Sequence, residues 1–397
     1  MNHHPLRGIN ARRTPVAALF LTLCASSASA LAAGGYTQTN LVTDDQEFLT
    51  SLGYSPATTI DPDLVNPWGI AFIPAPVHSP FWTSNNGTNT ATLYDGLGNK
   101  IPLDVTVTGG PTGQVNGGFN FHLAGQPAPS AFIFAGENGT ISEWNTTGPP
   151  FPTTSQVAVN NSSKNAVYKG LAEATVGGQH MLYATDFHNN RIDVFNNSYG
   201  SVINPPGAFT DPNLPKGYAP FGIQNIEGNL FVTYAKQLPG AHDDKAGPGN
   251  GVVDEFAADG HLIARVASRG GVLNSPWGVA LAPSNFGEFA GDLLIGNFGD
   301  GLINVFDPHT FAFIAHLSDT NGDAIQIDGL WGLIFGDGAA NGLPNGLYFT
   351  AGIGDEAHGL FGVLTPVPVP ASLPLLGCAM VWLATRRRVA TRAAISA

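Results

Sequence analysis

Two short stretches set imidazole beside carboxylate, a pairing that serves a metal ion or a general base. They are Ala241-His242-Asp243-Asp244-Lys245 and Gly354-Asp355-Glu356-Ala357-His358. Similar groups recur along the chain: Asn85, Asn86 and Asn89; Glu137 and Asn138; Asp186, His188 and Asn189; Asn297 and Asp300. Oxygen donors converging from several segments suit a hard cation, so calcium or another divalent ion is the cofactor such a set would take. The candidate metal ligands are Asp186, His242, Asp243, Asp244, Asn297, Asp355, Glu356 and His358, with His188 and Glu137 as further contacts to a bound molecule. Asn, Asp and Gly are equally what tight β-turns demand, so each residue has a purely structural alternative. Nucleophilic catalysis finds no support: there is no G-x-S-x-G string, and the two cysteines, Cys24 and Cys378, lie near the ends.

Loops of this kind need a scaffold, and the chain repeats. Asn66-Pro67-Trp68-Gly69-Ile70, Ala219-Pro220-Phe221-Gly222-Ile223, Ser275-Pro276-Trp277-Gly278-Val279 and Gly329-Leu330-Trp331-Gly332-Leu333 are versions of one motif. Tyr168-Lys169-Gly170-Leu171-Ala172 is a weaker copy, and Gly118-Phe119-Asn120-Phe121 stands where another is due. The period is about 53 residues. Each motif is followed by a short apolar run, a Gly/Asn/Asp loop, a run ending in an aromatic and a last short run. Four short strands per period make a propeller blade. The sequence therefore predicts an all-β fold, a six-bladed β-propeller of four-stranded blades over residues 36–365. The last unit is one strand short, and Tyr36–Val42 is expected to supply it and close the ring. All the candidate ligands then fall in loops on one face. The long loop Lys236–Gly251 reads as a ligand contact or a flexible flap. Trp68, Trp277 and Trp331 read as packing between blades; ringed at a channel mouth they would instead stack on sugars.

Charge and the two ends give an address. Between Asp44 and Glu356 the chain carries nine basic against 29 acidic residues, a net of −20, which repels phosphate backbones and excludes nucleic-acid binding. Residues 1–30 read as a signal peptide: Arg7, Arg12 and Arg13, an apolar run from Val16, then Ala28-Ser29-Ala30 as the cleavage site. Val367-Pro368-Val369-Pro370-Ala371 precedes an apolar stretch, Ser372 to Ala384, that ends at Arg386-Arg387-Arg388. An exported domain without body cysteines must hold together by burial alone.

That C-terminal order over 367–388 resembles the PEP-CTERM sorting tail in its VPxPA form. The resemblance implies transient recognition by an exosortase in a Gram-negative, exopolysaccharide-producing bacterium. The short transmembrane helix would hold the chain in the inner membrane, its only membrane contact, before release to the surface or matrix. A permanent anchor is the alternative reading. Tyr183-Ala184-Thr185-Asp186-Phe187-His188-Asn189-Asn190-Arg191-Ile192-Asp193-Val194-Phe195 resembles an NHL repeat. As a whole the chain resembles an uncharacterised family of PEP-CTERM propeller proteins, which implies fold and export and brings no activity. Two expectations follow: a surface module binding exopolysaccharide, protein or a divalent cation, or a metal-dependent enzyme of lactonase or lyase type. In the second, by analogy of place, Asp186, Asn297, His242, Asp243 and Asp355 would surround the metal.

Overall fold

The computed structural model describes residues 34–368. The expected signal peptide, with Ala28 and Ala30, lies outside them, as do Val369, Pro370, Ala371, Arg386, Arg387 and Arg388 of the tail. Among the described residues no helix is long and apolar enough to cross a membrane.

Six sheets follow one another in chain order, five of four strands and one of five. Their inner strands are Pro67–Ala71, Pro111–Asn116, Tyr168–Val176, Tyr218–Ile226, Pro276–Leu281 and Leu330–Phe335, which number blades 1 to 6. Each inner strand packs on the next and the sixth packs on the first, so the ring is closed. Closure comes as the sequence predicts. Tyr36–Thr43 pairs antiparallel with Leu360–Pro366 and completes blade 6, with Thr59–Ile60 added parallel at its edge. Closing the ring covers the outer side of Leu360–Pro366, so that only the short outer strand of each blade remains as an edge.

Second strands such as Phe81–Asn85, Ser130–Gly136 and Leu347–Ala351 are buried at every position. They lie between neighbouring blades and so read as continuous runs rather than alternating ones. Aromatic contacts fill the gaps: Trp82 stacks on Phe132 at 4.2 Å, and Phe81 meets Tyr348 at 4.5 Å.

The repeated glycine has a steric cause. A Cβ on Gly222 would overlap the Trp277 carbonyl, and one on Gly278 would stand 2.5 Å from that of Trp331. Six inner strands can meet around one axis only where their backbones touch. Register shifts at the motif in all six inner strands, between Pro67 and Ile70 in blade 1 and Pro276 and Val279 in blade 5, for example. Threonines staple the ring. Thr185 accepts from the Gly170 amide (2.7 Å) and donates to the Phe221 carbonyl (2.8 Å); Thr350 links Gly332 (3.0 Å) to Trp68 (2.6 Å).

The blade 2 copy is Pro111-Thr112-Gly113, not the expected Gly118-Phe119-Asn120-Phe121, whose first three residues form the turn beyond that strand. Threonine in the aromatic position hid it.

Candidate functional site at the channel mouth

The residue before each ring glycine defines the mouth: Trp68, Thr112, Lys169, Phe221, Trp277 and Trp331. The tryptophans do not pack between blades. Trp68 stacks on Trp331 at 3.5 Å, and Trp277 meets both edge-on at 6.1 and 5.9 Å. Phe298, from the blade 5 loop, covers the far face of Trp331 at 3.9 Å. The indoles therefore fill the channel instead of lining it. Beneath them a cavity of about 30 Å³, walled by Gly69, Gln114, Gln224 and Gly278, has room for a water molecule and little else.

Lys169 is the charged member of this ring. Its side chain is 3% exposed, and its ammonium stands 5.0 Å from the centroid of the Trp68 ring. Glu137 of blade 2 pairs with it directly, and Asp243 of blade 4 lies 3.8 Å away. Glu137 also accepts from Asn86 (2.9 Å). Burying an ammonium is costly unless it is paired, and both pairs come from loops of other blades.

Around this pair stand Asp244 and Glu356. Burial pushes both carboxyls above the ordinary range, while the Lys169 charge pulls them back. Glu356 accepts from Asn66 Nδ2 (2.6 Å), whose Oδ1 accepts from Trp331 Nε1 (3.0 Å). Ser275 Oγ faces the Asp244 carboxylate and helps to hold its charge, while Trp68 Nε1 is buried without a hydrogen-bond partner in the protein. Backbone strain collects here too: Asn66, Ser275, Asp355 and Glu356 all have positive φ, between 46° and 66°.

The long loop is an ordered hairpin rather than a loose flap. Leu238 N bonds to Asp243 O (2.9 Å), Lys245 N bonds to Lys236 O (2.6 Å), and Gly247 N bonds to Asn274 Oδ1 (2.6 Å). It brings Asp243 and Asp244 towards Lys169 at the mouth, with His242 beside Asp243.

Other candidates go elsewhere. Asp186 accepts from Val167 N (3.1 Å), Asn189 Nδ2 (2.7 Å) and Arg191 Nη2 (3.1 Å), so its carboxylate is fully engaged within its own blade. Asn297 donates to Val272 O and Asp300 Oδ1, both at 3.0 Å. His358 pairs with Asp44 (2.8 Å) and stacks on Phe48 at 3.9 Å, tying the closing strand in place. Asp355 is exposed and His188 half-buried. The set Asp186, Asn297, His242, Asp243 and Asp355 is thus not assembled around one point. Among the described residues the group whose metal-binding atoms do gather, within 4.8 Å, is Glu137, His242 and Asp243. Lys169 already occupies that position as a cation.

Sequence reasoning missed Lys169, Ser275 and Asn66 as parts of the site. The signal for Lys169 was present: a charge where five sister motifs carry an aromatic or threonine.

Fold and site together define a six-bladed propeller whose channel is plugged by indoles beneath an acidic mouth. The chain belongs to the same family as two uncharacterised proteins of Acanthamoeba polyphaga mimivirus. It is 33% identical to R648 over 79% of this chain and 78% of that one, and 31% identical to L690 over 78% and 82%. No family model matches. A protein of unknown function from Bacteroides thetaiotaomicron has a similar fold: TM-score 0.51, 11% identity, 83% of this chain and 76% of that chain covered.

Proposed function

We propose that this is an exported propeller, released to the cell surface or matrix, that works by binding exopolysaccharide or a surface protein at its channel mouth. The observation that carries the binding reading is Lys169. A metal-dependent propeller enzyme needs its ion at the centre of the mouth, and here an ammonium paired with Glu137 and Asp243 takes that place. A side-chain cation cannot activate water as a metal does. The indole plug also fills the channel in which a substrate of such an enzyme would be enclosed.

Support for export comes from the order of segments at 1–30 and 367–388, as read from the sequence, and from a described body without cysteine. Exosortase would be a transient partner, and the NHL-like repeat at 183–195 belongs to the same reading. The lactonase or lyase alternative rests on Glu137, His242 and Asp243 and would require Lys169 to be displaced.

The test is expression of the full chain in an exopolysaccharide-producing Gram-negative host. Mass spectrometry of the surface fraction should find a chain beginning after Ala30, and purified protein should sediment with the host polysaccharide. A chain retained in the cytoplasm would sink the export reading. Lactone hydrolysis that depends on added metal would favour the enzyme.

A further inference from the structure

The face opposite the mouth is built differently. The mouth draws its acids from loops between second and third strands, those of Glu137, Asp243 and Glu356. The turns between first and second strands, and between third and fourth, therefore lie at the other end of the antiparallel blades. There, on the consecutive blades 6, 1 and 2, Leu343, Val77, Leu97, Phe119 and Phe151 stand between 37% and 71% exposed. The five turns that carry them contain Asp95, Asp337, His78 and His122 and no Lys, Arg or Glu, in an otherwise strongly acidic body. Between blades 1 and 2 they open onto a cavity of about 420 Å³, walled by Trp82, Phe132 and Trp144 and rimmed by Val77, Phe119 and Phe151. Among the described residues no charged side chain lines it. Sites that enclose small ligands run from ~300 to ~1,000 Å³ and are mostly apolar in the same way. Single exposed apolar side chains are ordinary, but a group of them around an open aromatic cavity marks a surface that meets a partner.

Where the chain leaves the propeller points to the partner. Val367 N bonds to Gly35 O (2.9 Å), and Tyr36 Oη donates to Phe286 O (2.8 Å), in the turn between the first two strands of blade 5. Both ends of the described chain thus come off at this same face, and beyond Pro368 the sequence runs into the apolar stretch Ser372 to Ala384. We propose that this face rests on a lipid bilayer and that the cavity between blades 1 and 2 takes a lipid acyl chain. The inference rests on the reading of residues 367–388 as a membrane-held tail, and adds a second contact made by the propeller itself. A tail held in a bilayer keeps the face it leaves within a few residues of the lipid, at most ~3.6 Å for each. Apolar turn tips with aromatic members suit the boundary between headgroups and acyl chains. The lack of Lys and Arg in these turns selects zwitterionic over anionic lipid, since basic side chains are what anionic headgroups attract. The contact operates while the tail is in place, before release, and it turns the mouth away from the membrane.

The probe is phosphatidylcholine vesicles brominated in the acyl chains, which quench only indoles that lie against them. The full chain carries Trp382→Phe, so that the tail has no indole of its own. Relative to unbrominated vesicles its emission should fall by up to about two fifths, the share of Trp82 and Trp144 among the five tryptophans left. Val77→Glu/Leu97→Glu puts charge on two exposed tips and leaves the core untouched. Flotation should find that variant still on the vesicles through its tail, with the quenching lost. Thr146→Phe, which fills part of the cavity, should lower the quenching with the tips intact. A chain that floats unquenched overturns the proposal, and so does quenching undiminished in both variants. A dimer in vesicle-free solution that Val77→Glu/Leu97→Glu separates gives the face to a second copy and overturns it as well. The two readings fail separately: a chain that floats unquenched loses only the lipid face, whereas one that does not float loses the tail reading too.

Discussion

The ammonium of Lys169 and the indole of Trp68 face each other across 5.0 Å at the axis of the ring, with Glu137 closing the pair from above the plug. Lys169→Met should cost about 1–3 kcal/mol, because it leaves the mostly buried Glu137 carboxylate without its cation, whereas the solvent-exposed Asp243 loses little. Urea denaturation measures it. Adding Glu137→Gln should recover some of the loss, and a double-mutant cycle without coupling would show that the pair is not a unit.

Gly222→Ala tests the ring itself. Its methyl would meet the Trp277 carbonyl, a backbone atom that cannot turn aside, so a loss of about 2 kcal/mol or more is expected. Gly53→Ala is the control. It has nothing within 4 Å of the new atom but a φ of +89°, and should cost only about 1 kcal/mol. A loss in Gly222→Ala no greater than that in Gly53→Ala would mean that inter-blade contact does not explain the repeat.

Thr350→Val should lose about 1–3 kcal/mol, since it removes the acceptor for Gly332 N and the donor to Trp68 O while keeping the shape. Thr350→Ser keeps the hydroxyl and should stay closer to the parent. Thermal melts of the three chains are sufficient.

The pH dependence has a definite sign. Asp244 and Glu356 hold their protons more tightly in the folded chain than in the unfolded one. Between the ordinary carboxylate range near ~4 and their raised folded values, the unfolded chain sheds protons first, so their contribution to stability falls as pH rises. The groups facing them are Lys169, Glu137, Asp243, Ser275 and Asn66. Melting temperatures across this range should fall less steeply in Asp244→Asn/Glu356→Gln than in the parent.

The architecture was legible because its cause is local. A glycine that must touch the next blade recurs at a fixed interval, and second strands such as Ser130–Gly136 and Leu347–Ala351 are buried at every position. The missing outer strand of blade 6 followed from counting. The site was less legible. Asp186 ends a strand and is engaged by Val167, Asn189 and Arg191, while Asp244 lies in a loop that a hairpin carries inward. The partners Asn189 and Arg191 stand close to Asp186 in the sequence, but nothing beside Asp244 announces the hairpin that carries it inward. Lys169 and Glu356 lie far apart in the chain, and only closure of the ring brings them together. The tryptophans were placed on the right strands but in the wrong space, because the register shift at each motif reorients the side chain next to the glycine.

The pairing of Tyr36–Thr43 with Leu360–Pro366 joins two ends of one circuit, with Tyr36 opposite Pro366. No strand pairing among the described residues spans more chain, so this seam carries the largest loop-closure entropy and belongs among the last elements to form. A nascent chain can complete five blades yet stay an open arc until its final strand arrives. The same geometry sets the response to load. Tension applied at residues 36 and 366 pulls on neighbouring ends of an antiparallel pair, so its hydrogen bonds break in succession, like a zip. The propeller should resist heat as a ring and yield to a pull as a seam.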